Sequence, residues 1–224
     1  MGTRLSDCRL FFREFLTNYR TTGAVLPSGR LLAKALARFV GQVANLPKGQ
    51  PAVPQTEFRR ILEVGPGTGA VTRQIVAALR PQDCLDLVEL NESFVTCLRR
   101  RFESDPAFQP AASRARVLHC PVEQLQGTTY HVIISGLPLN NFAVHEVEQI
   151  LAVFRCLLEP GGTLSFFEYM AIRRLKSLVS GRAERTRLGG IGAVLGRLLA
   201  EHEIHRDWIW PNVPPAWVHH VRLS

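Results

Sequence analysis

Ile61-Leu62-Glu63-Val64-Gly65-Pro66-Gly67-Thr68-Gly69 is the stretch on which the reading of this chain turns. Four residues suited to a buried strand run into three glycines set two apart, and a helical pattern follows to Leu79. An open α/β sheet binds nucleotides at such a turn, between its first strand and the next helix. The spacing restricts which nucleotide. Glycines at 65, 67 and 69 do not fit the G-x-G-x-x-G of a dinucleotide site, and no P-loop lysine follows Thr68-Gly69. Phosphate binding is disfavoured, while small residues still let backbone approach a ligand closely. Glu89 ends the next strand-like run, Leu85 to Leu90, and is placed to accept both hydroxyls of a ribose. The expected ligand is a nucleoside with little or no phosphate.

Strand and helix patterns alternate outward from this stretch. Glu92 to Phe102 reads as a helix, and Arg116 to His119 and His131 to Ser135 as the third and fourth strands. Val144 to Leu158 reads as a helix stopped by Glu159-Pro160-Gly161-Gly162, with Thr163 to Glu168 the fifth strand. This alternation predicts an α/β fold with a doubly wound, mostly parallel sheet. Glu203 to Trp210 and Ala216 to Leu223 are separated by five residues, too few for a parallel crossover. They are expected as an antiparallel C-terminal pair at the sheet edge, completing seven strands. Upstream, Leu5, Cys8, Phe12, Phe15, Leu16 and Tyr19 recur at helical spacing, with Arg9, Arg13 and Arg20 largely opposite them. Pro27-Ser28 opens a second helical pattern through Phe39, and Asn45 to Gln55 reads as a loop. Residues 1–56 are thus expected to form amphipathic helices capping a sheet domain at 57–224, with a basic lid inserted at 171–200.

With 224 residues, 46% of them hydrophobic, the chain can bury a substantial core, which excludes general disorder. No run approaches the roughly 18 to 20 apolar residues that span a bilayer, and Met1-Gly2-Thr3-Arg4-Leu5-Ser6-Asp7 lacks the apolar region of a secretory signal. A cytoplasmic protein is expected. Five scattered cysteines fit neither a zinc knuckle nor a disulfide framework. The net charge of +8 is concentrated in two segments: residues 1–56 carry eight basic and two acidic side chains, and residues 171–200 seven and one. In the second, Arg173, Arg174, Lys176, Arg182, Arg185, Arg187 and Arg197 interleave with Leu175, Leu178, Val179, Leu188 and Ile191. Gly189, Gly190, Gly192 and Gly196 predict a loosely helical, mobile lid suited to an anionic bilayer. His219 and His220, being adjacent on a strand, point to opposite faces and cannot share an ion, so no metal site is expected.

Glu63-Val64-Gly65-Pro66-Gly67-Thr68-Gly69 with an acidic residue ending the next strand resembles the class I S-adenosylmethionine-dependent methyltransferases. That resemblance implies S-adenosylmethionine as cofactor, bound by Glu63, Gly65, Pro66, Gly67, Thr68, Gly69, Glu89, Leu90, Asn91, Pro121, Val122 and Ser135. Gly23 to Ala33, Ser135-Gly136-Leu137-Pro138-Leu139 and Asn212-Val213-Pro214-Pro215-Ala216 resemble, in this order, segments of the bacterial phospholipid N-methyltransferases. The match runs from about Leu10 onward and implies stepwise methylation of phosphatidylethanolamine towards phosphatidylcholine. In that family the third strand usually ends in Gly-Asp-Ala; here Cys120-Pro121-Val122 leaves adenine to backbone and apolar contact, with Glu123 as a substitute carboxylate. The glycine loop and a Leu-Pro after the fourth strand also occur in ribosomal RNA adenine dimethylases. An RNA adenine N6-methyltransferase is therefore one alternative, and a non-catalytic binding module with a decayed cofactor site another.

Methyl transfer from a sulfonium to an amine is a one-step displacement that requires no metal, and the protein contributes mainly positioning and exclusion of water. The amine must lose its proton before it attacks, which calls for an acceptor at the ligand end of the sheet. Glu168 and Tyr169 close the fifth strand there, and His145 is a weaker candidate. Tyr169 matches a family tyrosine, and an aromatic face from Tyr169, Tyr19 or Phe142 would stabilise the developing cation by about 0.5 to 2 kcal/mol. Ser135 to Leu139, with Ser135 and Leu137 in the acceptor position, follows the fourth strand. Leu139 stands where an aromatic would stack a flipped base, which favours lipid over RNA. The expected partners are an anionic membrane surface and its phospholipid, with the protein peripheral on the inner leaflet.

Overall fold

The structure is a computed structural model, and it describes residues 27–41, 58–125, 127–169, 182–210 and 215–223. The expected helix from Leu5, the loop at 45–55 and residues 171–181 of the basic segment lie outside the described residues. Helices α1 (Pro27–Leu36) and α2 (Arg38–Gly41) precede β1 (Arg60–Val64), α3 (Ala70–Ala78), β2 (Cys84–Val88), α4 (Glu92–Ser104) and β3 (Ala115–Leu118). Then come β4 (Tyr130–Ser135), α5 (Val144–Leu157), β5 (Leu158–Tyr169), α6 (Arg182–His202), β6 (Glu203–Ile209) and β7 (Ala216–Arg222). The seven strands lie in the order β3-β2-β1-β4-β5-β7-β6. The first five are parallel, and β7 runs antiparallel to both β5 and β6.

Why these residues build this sheet follows from burial on both faces. β1 and β2 are short apolar runs buried over four consecutive positions, the pattern of strands covered by helices on either side. One face carries Leu36 of α1, Val40 of α2, Ile75 of α3 and Leu98 of α4. The other carries Val147, Ile150 and Phe154 of α5 with Ile191 and Leu195 of α6. Chain order reverses between β1 and β4, and a sheet of this kind opens a crevice at that switch point, beyond the carboxyl ends of its strands.

Two expectations are corrected here. Glu159 to Gly162 does not separate α5 from the fifth strand. Leu158 is already extended and pairs with Tyr130, while Val132 pairs with Thr163, so the four residues bulge from a strand that has begun. Nor is the described part of the basic segment loosely helical. Residues 182–202 form one helix, with Leu188, Ile191 and Leu195 buried. Gly190 is explained by packing: a Cβ there would lie 2.7 Å from Val144 Cγ2 of α5.

Candidate active site

Three strand ends meet at the crevice. Gly65 N donates to Val88 O at 3.0 Å, Gly136 N to Val64 O at 2.8 Å and Glu89 N to Leu118 O at 3.1 Å, so the sheet ladder continues one residue past β1, β2 and β4. Gly65 and Gly67 have φ of 71° and 56°, a region costly for a residue with a Cβ. At Gly65 a Cβ would also strike Leu137 Cδ2 at 2.7 Å. At Gly67 nothing lies within 4 Å, which leaves open space over the loop.

Glu89 is the hub of this loop. Its Oε2 accepts from Gly67 N at 3.0 Å, and its Oε1 from Leu90 N at 2.8 Å and Asn91 N at 2.9 Å. The carboxylate therefore ties the glycine loop to the end of β2. Burial pushes its pKa up, and the N–H groups of Asn91, Gly67 and Leu90 pull it part of the way back. Asn91 spends its side chain on capping α4, accepting from Ser93 N and Phe94 N, and Leu90 O lies 3.0 Å from His119 Nε2.

Glu63 lies inside β1, fully buried. Thr72 Oγ1 donates to its Oε2 at 2.7 Å, whereas Oε1 has no hydrogen-bond partner among the described residues. Burial raises its pKa to about 8, with the Thr72 hydrogen bond opposing and the charge of Glu89 adding. A buried carboxyl oxygen without a partner in the first strand fits a ligand that brings a donor or a cation. Together with the open space above Gly67, this means the residues present fit an adenosine-bearing sulfonium with an amino-acid tail: Glu89 for the ribose, Glu63 for the ammonium, and Pro66, Thr68 and Gly69 shaping the loop.

The end of β3 departs from a carboxylate-bearing pattern in the way the sequence suggested. Pro121 is extended and precedes the short 3₁₀ turn Val122–Gln124. Proline offers no N–H, but the first N–H groups of that turn, at Val122 and Glu123, have no partner within it, so backbone donors remain at this edge. Val122 is buried and Glu123 exposed.

The loop after β4 is built differently from what the sequence implied. Ser135 is buried and its Oγ accepts from Leu137 N at 3.3 Å; Leu137 is buried against Gly65. Phe142 is 1% exposed within the α5–α6 core, so it is packing rather than a cation-facing ring, and Tyr19 lies outside the described residues. Arg187, expected among the membrane-facing charges, instead reaches back from α6. Its Nη1 donates to Asn140 O at 3.0 Å and to Phe142 O, and Glu184 holds its other nitrogens at 2.8 and 2.6 Å. Asn140 is buried, and its Oδ1 has no hydrogen-bond partner among the described residues. The sequence marked Arg187 only as a lid charge and did not single out Asn140, because the contacts that join them to this loop span 45 and 47 residues.

Glu168 and Tyr169 end β5 at the same edge but on opposite faces, as alternation requires. Tyr169 packs edge-on against Phe167 on the α1 side, with centroids 5.0 Å apart. Glu168 faces the α6 side, 8% exposed, with His219 Nε2 3.6 Å from its Oε2. One amine cannot meet both side chains along the strand. His145 is exposed in the first turn of α5.

Comparison with known proteins agrees with this geometry. The family described as "Methyltransferase domain" matches residues 61–162. An ornithine lipid N-methyltransferase of Singulisphaera acidiphila is 24% identical, over 72% of this chain and 77% of that protein. A ribosomal RNA small subunit methyltransferase A of Parasynechococcus marenigrum is 35% identical over 81 residues, which are 36% of this chain and 26% of that one. Among solved structures, the O-methyltransferase TomG of Streptomyces achromogenes in complex with SAM covers all of this chain and 91% of its own, at 15% identity and a TM-score of 0.59. The magnesium protoporphyrin IX methyltransferase of Synechocystis with bound SAM covers 88% and 80%, at 11% identity and 0.57. Residues 61–162 thus carry a methyltransferase domain on a fold of the class I type, and the enzyme is an S-adenosylmethionine-dependent methyltransferase. Its cofactor is S-adenosylmethionine, and the reading as a decayed binding module is set aside.

Proposed function

We propose that this enzyme transfers methyl groups to the primary amine of a membrane lipid, with phosphatidylethanolamine as acceptor, at an anionic bilayer surface. The observation that carries the reading is the similarity, along about three quarters of both chains, to a protein named as an ornithine lipid N-methyltransferase. Two features of the structure support it. Leu139, in the loop after β4, is buried and aliphatic where a flipped base would need a stacking ring. Trp208 and Trp210 are 54% and 66% exposed on the edge strand and its end, and tryptophan is at home in the bilayer interface. Among the described residues no helix is long and apolar enough to cross a membrane, so attachment would be peripheral.

The cofactor supplies the electrophilic methyl on sulfur. The chain would supply the cradle at residues 63–69, the ribose acceptor Glu89, and a dry acceptor loop held by Arg187. Methyl transfer to vesicles tests the reading: phosphatidylethanolamine in an anionic host should gain methyl groups, and the rate should fall with salt as surface attraction is screened. Lipid that stays unmethylated while the cofactor binds would overturn it. A second reading, methylation of an RNA adenine, is favoured only by the 81-residue match to the ribosomal RNA enzyme.

A further inference from the structure

Beside the end of β5, the β6–β7 hairpin lays a line of ionisable side chains on the face covered by α6. His219 lies at its centre, 3% exposed. Its Nδ1 is 2.6 Å from Glu203 Oε1, and Arg206 grips Glu203 with contacts of 3.0 and 2.5 Å. Its Nε2 is buried, makes no hydrogen bond among the described residues, and lies 3.6 Å from Glu168 Oε2. Phe166 covers one side of the ring, with centroids 5.4 Å apart. Among the described residues, the ionisable groups around the imidazole are thus Glu203 and Arg206 from β6 and Glu168 from β5. His202, at the end of α6, lies 3.7 Å from Glu201 and 3.5 Å from Arg155.

Counting protons along this line gives a definite result. An ionised carboxylate only accepts, so the contact with Glu203 makes Nδ1 a donor. A neutral imidazole protonated there presents a lone pair at Nε2, and that lone pair would face one on Glu168. The opposition is relieved when a single proton resides between them, on either atom. The line ends at the carboxyl edge of the sheet, where Glu168 lies three residues past Ser165, the partner of Ile134 in β4.

We infer that Glu168, His219 and Glu203 form a relay that removes the proton from the acceptor amine, with His219 and Glu203 as positioning residues. The inference rests on the reading of this enzyme as an amine methyltransferase. An acceptor ammonium gives a proton to the Glu168 carboxylate. The proton passes to Nε2, and the resulting imidazolium is held at Nδ1 by Glu203. The freed nitrogen lone pair forms the N–C bond to the sulfonium methyl while the C–S bond breaks, its electrons remaining on sulfur. The products are a methylammonium, a neutral thioether and one proton, which the imidazolium returns to water. Each cycle must begin with the relay empty, so activity is lost on the acid side as the pair fills.

Two measurements test this, one of them independent of any acceptor. In imidazole nitrogen NMR at neutral pH, Glu168→Gln should move the Nε2 resonance of His219, which the carboxylate faces, and leave the Nδ1 resonance, held by Glu203, in place. An Nε2 resonance that does not move would overturn the relay. In turnover on phosphatidylethanolamine vesicles, His219→Asn keeps a donor near Glu203 but has no site for the travelling proton. It should lower kcat about tenfold or more, leave the KM for S-adenosylmethionine within about twofold, and move the acid limb of kcat to lower pH. A uniform loss of kcat with the acid limb unmoved would mean a packing role and overturn the relay. If His219→Asn does not fold, the Glu168→Gln nitrogen spectrum decides. If wild-type enzyme methylates no lipid amine, the function proposed above fails, and the NMR result alone judges the relay.

Discussion

Replacing Glu89 separates two jobs that one carboxylate performs. Oε1 receives the N–H groups of Leu90 and Asn91, and Oε2 that of Gly67. Glu89→Gln with its oxygen at the Oε1 position keeps the first two bonds and turns an NH2 towards Gly67 N. One charge-assisted bond is lost, and a hydrogen bond to a charged group contributes about 1.5 to 3 kcal/mol. Glu89→Ala removes all three and leaves half-buried N–H groups without their acceptor. Because the carboxylate itself is costly to bury, as its raised pKa indicates, the net loss is set at about 3 to 5 kcal/mol, a large fraction of the roughly 5 to 15 kcal/mol that holds a domain folded. The alanine variant should therefore lose stability as well as ligand, and Gln is the sharper probe. Losing an ionised acceptor for ribose hydroxyls should weaken S-adenosylmethionine about 10- to 100-fold, since each 1.4 kcal/mol is tenfold. Calorimetric titration measures that, and urea unfolding measures the stability cost. Glu89→Gln that binds the cofactor within about twofold of wild type, while its unfolding midpoint falls, would refute the assignment of the ribose to Glu89.

Further outcomes follow from the same geometry. Glu63 has its pKa raised to about 8 when folded, against an ordinary value near 4.5, so the stability it contributes is full below about 4.5 and is lost as the pH rises to about 8. The loss over that window is on the order of 4 to 5 kcal/mol; Glu63→Gln should flatten the slope, which urea unfolding at several pH values would detect. Gly67→Ala, strained only by its positive φ, should cost about 1 kcal/mol of stability yet sharply weaken cofactor binding, whereas Gly65→Ala, which also meets Leu137, should cost about 1 to 3 kcal/mol; paired thermal and binding measurements check the contrast. Arg187→Ala should lower kcat far more than cofactor affinity, because the carbonyls of Asn140 and Phe142 lose their tether; equal effects on both would argue against a role confined to the acceptor loop.

What was legible in the sequence was what local spacing encodes. The strand–glycine–helix unit at 61–79, the acidic residue ending β2 and the antiparallel hairpin all depend on neighbours within about twenty residues, and those patterns survive without coordinates. The opposite faces of His219 and His220 follow from strand alternation, and the structure turns one to Glu203 and the other to Ser165 and Asp207. What stayed hidden depends on register and packing. Gly190 is indistinguishable by composition from a helix-loosening glycine until Val144 is set against it. Arg187 counts as a surface charge until α6 is laid over the β4 loop. His219 gains its meaning only because β7 slots between β5 and β6, which brings residues 168 and 203 to its two nitrogens.

The most direct test of the account is a competition for labelled methyl. Purified enzyme and S-adenosylmethionine carrying a labelled methyl group would meet phosphatidylethanolamine vesicles and ribosomal RNA in one tube. The account predicts label in the lipid phase, on head-group nitrogen, and none in RNA. Label on RNA adenine with the lipid unmodified would contradict it.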